Sequence, residues 1–80
     1  MTDNTQEAFG YFRIHVFQLL HENKMSQSDL AEEIDINQST LNMNLRGLSK
    51  PSFYTINAIA DYFNISIDWL LGRSNDKRIK

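Results

Sequence analysis

The sequence has no cysteine. A disulfide framework, a thiolate zinc site and a cysteine nucleophile are therefore excluded, and in so short a chain this usage points to a reducing compartment. One proline and three glycines are too little turn material for a series of hairpins or a glycine-rich phosphate loop. The opening Met1-Thr2-Asp3-Asn4-Thr5-Gln6-Glu7 lacks the basic and apolar regions of a signal peptide, and no later apolar run approaches a membrane span. These absences predict a cytoplasmic protein without a membrane segment. Basic excess is missing as well. Ten acids against eight lysines and arginines leave a formal charge of −2, without the strongly basic footprint usual for a nucleic-acid binder.

What remains is helical material. Eighty residues with 41% hydrophobic content support one modest core, and eight leucines beside so little glycine and proline favour an all-α domain. No internal repeat or low-complexity tract interrupts it. Charge is segregated along the chain. Residues 1–37 hold seven acids (Asp3, Glu7, Glu22, Asp29, Glu32, Glu33, Asp35) against Arg13 and Lys24, whereas residues 38–55 hold no acid and carry Arg46 and Lys50. From Gly72 the chain turns basic again through Arg73, Lys77, Arg78 and Lys80 against Asp76. The anion-friendly part is the middle.

Apolar spacing predicts five helices. Phe9, Phe12, Val16, Leu19 and Leu20 form one stripe of a first helix over about Glu7 to Asn23, with Phe17 off it. Ser26 caps a short second helix whose apolar face is Leu30, Ala31 and Ile34. Asp35-Ile36-Asn37 then leaves only three or four residues before a third helix over Gln38 to Leu45, with Asp35 taking a left-handed turn and Asn37 the cap. Two short helices joined so tightly cross steeply, as in a helix-turn-helix unit. Gly47 closes the third helix, Lys50-Pro51-Ser52 makes a turn and cap, and Ile56, Ile59, Ala60 and Phe63 mark a fourth. Ser66 caps a last short helix holding Ile67, Trp69, Leu70 and Leu71, stopped at Gly72.

Read as blocks, Met25-Ser26-Gln27-Ser28-Asp29-Leu30-Ala31, Ile36-Asn37-Gln38-Ser39-Thr40-Leu41, Arg46-Gly47, Lys50-Pro51-Ser52 and Ser66-Ile67-Asp68-Trp69-Leu70-Leu71-Gly72 form a pattern. It resembles the phage repressor and Cro-like, or xenobiotic-response-element, family of helix-turn-helix DNA-binding domains over roughly residues 12 to 73. The resemblance implies a five-helix lambda-repressor-like domain in residues 1–73, with 74–80 a basic tail or the start of a linker. It further implies a bacterial or phage transcriptional regulator, a repressor or Cro-like protein, bound as a homodimer to a double-stranded DNA operator; an enzyme is the weakest reading, since the sequence has no glycine-rich phosphate loop and no His or carboxylate constellation at reactive spacing, and no cofactor is expected.

In lambdoid repressors the glutamine opening helix two fixes a phosphate and the one opening helix three reads an adenine. Gln27 and Gln38 stand at those positions. An amide offers a donor and an acceptor together, which matches the adenine edge, and a helix N-terminus favours phosphate. Ser39 and Thr40 follow in the first turn of the recognition helix, with Asn42 and Met43 behind them as further candidates for base contact. Met43 occupies a place where the family carries a polar reader; it either packs on a thymine methyl or is merely exposed. Asn37, Arg46 and Lys50 are the remaining candidates for phosphate contact. In the family's phage members the last helix lies across the two-fold axis, so Ile67, Asp68, Leu71 and Arg73 are candidates for the dimer contact. His15 and His21, six residues apart without a cysteine to complete a shell, read as solvated or capping residues rather than metal ligands.

Two departures from the family stand out. The helix-one arginine and helix-three glutamate that many members pair are Leu20 and Leu45 here, an exchange often neutral or stabilising when volumes fit. Asn44 replaces a core Tyr or Leu, so its amide needs a partner or exposure. The acidity of Glu32, Glu33 and Asp35, beside a neutral third helix, favours a second reading: a helix-turn-helix module for protein recognition, such as an antirepressor or antitoxin partner. A longer chain with a C-terminal oligomerisation domain is a further possibility.

Overall fold

In the computed structural model residues 5–79 are described; Met1 to Asn4 and Lys80, and with them the acid Asp3 and the last cation of the tail, lie outside these residues. Among the described residues five helices follow one another: α1 (Thr5–Glu22), α2 (Gln27–Glu33), α3 (Gln38–Leu45), α4 (Phe53–Phe63) and α5 (Ile67–Leu70). No strand occurs among the described residues. The expected α3 agrees at both ends, while α1 begins two residues before Glu7 and ends one before Asn23.

The helix starts are written in the sequence. The Ser26 hydroxyl accepts from the Asp29 amide, and the Asp29 carboxylate accepts from the Ser26 amide at 3.0 Å, a reciprocal capping box. Asn37 accepts from the amides of Ser39 and Thr40, Ser52 from Thr55, and Ser66 from Trp69.

The helix ends share one device. A left-handed residue follows each helix: Lys24, Asp35, Gly47, Asn64 and Gly72, all with φ between 54° and 78°. After each, the next amide reaches back to a carbonyl in the last turn: Met25 to Leu20, Ile36 to Ala31, Leu48 to Met43, Ile65 to Ala60 and Arg73 to Asp68, at 2.8–2.9 Å. This is the Schellman arrangement, which satisfies carbonyls the helix leaves orphaned. Asp35, Gly47 and Gly72 are legible in the sequence as turn residues, whereas lysine gives no local signal for the positive φ of Lys24.

The core is built from Phe12, Val16, Leu19 and Leu20 of α1, Leu30, Ala31 and Ile34 around α2, Leu41 and Leu45 of α3, Ile56, Ile59 and Ala60 of α4, and Ile65, Trp69 and Leu70 near α5. Phe9 and Phe63 pack at its edge and Phe17 is exposed. Leu20 and Leu45 are both buried, so the exchanged family pair is apolar on both sides.

Two features depend on tertiary packing. His15 is packed rather than solvated: its ring stacks on Trp69 at a centroid separation of 3.9 Å and 11° between planes, and its Nδ1, 3.2 Å from the carbonyl of Leu70, caps the last residue of α5. The physical reason is that α5 packs on α1 and brings an indole face over position 15. The tail is held too. Ser66 donates from its amide to the Lys77 carbonyl at 2.9 Å and from its hydroxyl to the Asp76 carbonyl at 3.2 Å. The Lys77 ammonium sits 4.7 Å from the Trp69 ring centroid and 3.6 Å from Glu22 Oε2. Gln18, donating to Glu22 at 2.9 Å, and then Lys77 hold the Glu22 carboxyl below its ordinary value, against partial desolvation.

Candidate functional site

Helix α3 is anchored by the turn that precedes it. The α2 end, Asp35 at φ 56°, and the half-buried Ile36 fold the chain back so that α3 packs on α2, and Tyr54 of α4 donates to the Ile34 carbonyl at 3.3 Å. Leu41, Asn44 and Leu45 face inward. With about 100° per residue, the opposite side of α3 is centred on Ser39, Met43 and Arg46, with Gln38 and Thr40 flanking. All five are exposed. Among the described residues the Gln38 side chain has no hydrogen-bond partner, so its amide is available for a bidentate contact. No carboxylate lies on α3 itself.

Gln27 and Asn42 depart from the simple picture of independent contacts. Asn42, half-buried, donates from Nδ2 to Gln27 Oε1 at 3.2 Å. The amide pair ties the first residue of α2 to the middle of α3, leaving the Gln27 NH2 and the Asn42 Oδ1 to face outward partners. The family pattern gives Gln27 and Gln38 the phosphate and adenine contacts; here Asn42 is the residue that holds Gln27. The reason is reach, since Asn42 lies one turn beyond Gln38 on the side of α3 turned toward α2. Asn37 Oδ1 is likewise committed, to the α3 cap, and only its NH2 can donate elsewhere.

Arg46 and Lys50 are exposed at the far end of α3 and in the loop after it. A third cation was missed from the sequence: Arg13 of α1, whose guanidinium lies so close to Gly47 that a Cβ there would collide with it. Gly47 is thus constrained twice, by its φ of 77° and by this approach. In the sequence Arg13 belongs to the acid-rich half, and only the packing of α1 against α3 brings it beside the acid-free window.

Asn44 is buried, at 3% exposure. Its Nδ2 donates to Ser49 Oγ at 2.9 Å and weakly to the Ser49 carbonyl at 3.4 Å, while Oδ1 has no partner. The expected partner therefore exists for one half of the amide; leaving the other half unpaired costs about 1–3 kcal/mol.

The α5 candidates form a separate surface. Asp68 and Arg73 are exposed, Ile67 and Leu71 half-buried, and the Arg73 amide donates to the Asp68 carbonyl at 2.8 Å. Ile67 and Asp68 also border a cleft of about 370 Å³ shared with Asp76 and Arg78 of the tail. Among the described residues no group of three or more His, Cys, Asp or Glu is placed to hold a metal ion, and no helix is long and apolar enough to cross a membrane.

A helix-turn-helix family model matches residues 18–70, from the last part of α1 to the end of α5. A solved structure described as a transcriptional regulator from Listeria innocua superposes with a TM-score of 0.70 at 26% sequence identity, covering 81% of this chain and 61% of that one. The chain therefore spans about 61% of that regulator's length. No curated protein matches the sequence.

Proposed function

Because the chain belongs to the Cro/C1-type helix-turn-helix family, we propose that it is a DNA-binding transcriptional regulator, a repressor or Cro-like protein, whose α3 enters the major groove of an operator. The observation that carries this reading is the exposed face of α3, with Ser39, Met43 and Arg46 at its centre, Gln38 exposed at its flank and no carboxylate among them. Gln38 and Ser39 meet base edges, Met43 supplies an apolar contact for a thymine methyl, and Thr40 lies at the flank. Arg46, Lys50 and the NH2 groups of Gln27 and Asn37 meet phosphates on either side. Asn42 acts through Gln27, holding it in register.

Gln38→Ala is expected to weaken binding to a selected cognate site by about 1–3 kcal/mol while changing affinity for random DNA little, since a base contact discriminates and a phosphate contact does not. Fluorescence anisotropy on both DNAs measures it; equal losses on the two would remove Gln38 as a base reader.

Arg46→Ala and Lys50→Ala act in the opposite manner. Each lowers affinity across all sequences and reduces the slope of log K against log salt by about one unit. An unchanged slope in both variants would turn this end of α3 away from the DNA.

The net charge of −2 and the small number of contacts per domain favour a homodimer on DNA, with half-sites about 34–36 Å apart and the Ile67, Asp68, Leu71 and Arg73 surface between the domains. A palindromic site then binds far more tightly than one half-site, and equal affinity with one protein on each would refute the dimer. The acidic α2, with Glu32 and Glu33 exposed, favours recognition of a protein partner as the second reading; failure to enrich any DNA from a random library would favour it over the first.

A further inference from the structure

Helix α1 is apolar on two opposite sides. Phe12, Val16, Leu19 and Leu20 fill the core, yet Tyr11, Ile14 and Phe17 are 47%, 63% and 45% exposed, on the side where a surface helix ordinarily carries charge. The outermost stripe runs Glu7, Gly10, Ile14, Phe17 and His21, at steps of three and four residues. Such steps are the spacing by which one helix lines up along another. Arg13, the one lysine or arginine of α1, approaches Gly47 instead. The three exposed apolar side chains present roughly 300 Å² together, the size at which a patch marks an interaction site.

The stripe is complementary to itself in reverse. Turned end for end about Ile14, it sets Glu7 opposite His21, a carboxylate against an imidazole that can donate to it, and it sets Phe17 opposite Gly10. Gly10 lies within α1 and is half-exposed, and a Cβ on it would meet nothing within 4 Å. The bare backbone leaves a notch that an aromatic ring from outside can fill, at a cost in helix propensity. A face that matches its own reversal is met by the same face of an identical chain, because a two-fold contact pairs residue i with j and j with i. We infer that α1 pairs antiparallel with α1 of a second copy across a two-fold axis at Ile14, forming a weak dimer in free solution. This contact lies on α1, whereas the one proposed for the operator-bound pair lies on α5, and it needs no DNA.

The test is sedimentation equilibrium of the full chain without DNA, from about 10 μM to about 1 mM, the range in which so small a contact associates. The mean mass is expected to rise from one copy toward two, with a Kd of about 0.1 mM. Ile14→Glu sets two carboxylates together on the axis and weakens association at least tenfold, that is, by about 1.4 kcal/mol or more, while the melting temperature stays the same because the side chain is exposed. Gly10→Gln fills the notch: it raises the melting temperature through helix propensity yet weakens association about fivefold. Those opposite signs separate a contact between copies from an effect on the fold. In a chain without cysteine, Ile14→Cys cross-links to its own copy under glutathione disulfide far faster than Gln18→Cys, whose equivalents stand about 12 Å apart along the paired helices. A mass that stays at one copy up to about 1 mM, association that survives Ile14→Glu, or equal cross-linking at positions 14 and 18 overturns the inference. Failure to bind DNA alters none of these readouts, so the two proposals stand or fall separately.

Discussion

Trp69→Ala is expected to lower the unfolding free energy by about 3–5 kcal/mol, close to half of the roughly 4–12 kcal/mol that a chain of this length holds in total. The indole is buried among α1, α4 and α5, stacks on His15, and carries the Lys77 ammonium at 4.7 Å from its centroid. Helix α5 has four residues, too few to be stable by itself, and its position depends on packing rather than propensity. Removal of the ring therefore opens a cavity, unseats α5 and releases the tail in one step. Urea denaturation measures the loss, and Trp69→Phe, which keeps an aromatic face for His15, recovers part of it. A loss below about 1.5 kcal/mol would mean that α5 contributes little to the bundle.

The second large effect is expected at the apolar pair that replaces the family's charge pair. Leu20 and Leu45, 5% and 3% exposed, belong to the seam where α3 packs on α1. Alanine at either position costs about 2–5 kcal/mol. If the two side chains share a contact, the double variant costs less than the sum by about 0.5–3 kcal/mol. A double-mutant cycle from denaturant unfolding decides it, and additivity within about 0.3 kcal/mol would separate them. The functional stake is direct, because Leu45 lies on the inner side of the helix whose outer side carries Ser39, Met43 and Arg46. Loosening that seam reduces the precision with which the outer face is presented.

The sites of the two variants differ in how readily they can be found. Leu20 is legible from apolar spacing, and Leu45 from the family's charge-pair position. Trp69 reads as a core residue by size, but its stack on His15 does not: fifty-four residues separate the pair, and no local pattern makes one ring seek the other. For the same reason Asn44 presents itself in the sequence only as a misfit, whereas the fold shows half of it satisfied by Ser49 and half unpaired.

Local chemistry, then, was settled by the sequence. Ser26, Asn37, Ser52 and Ser66 cap their helices because a short side-chain oxygen reaches the free amides of the first turn. Asp35, Gly47 and Gly72 end helices because they tolerate positive φ. Helical spacing placed Val16, Leu30 and Ile59 inside. Such interactions span a few residues and need no knowledge of the rest of the chain. Tertiary structure decided the pairings across helices: Asn42 with Gln27, His15 with Trp69, Lys77 on both Trp69 and Glu22, and Arg13 against Gly47. Each depends on the angle and depth at which two helices meet, which the whole core sets together, so the same residues in the same order would read identically in a chain where those helices packed one turn apart.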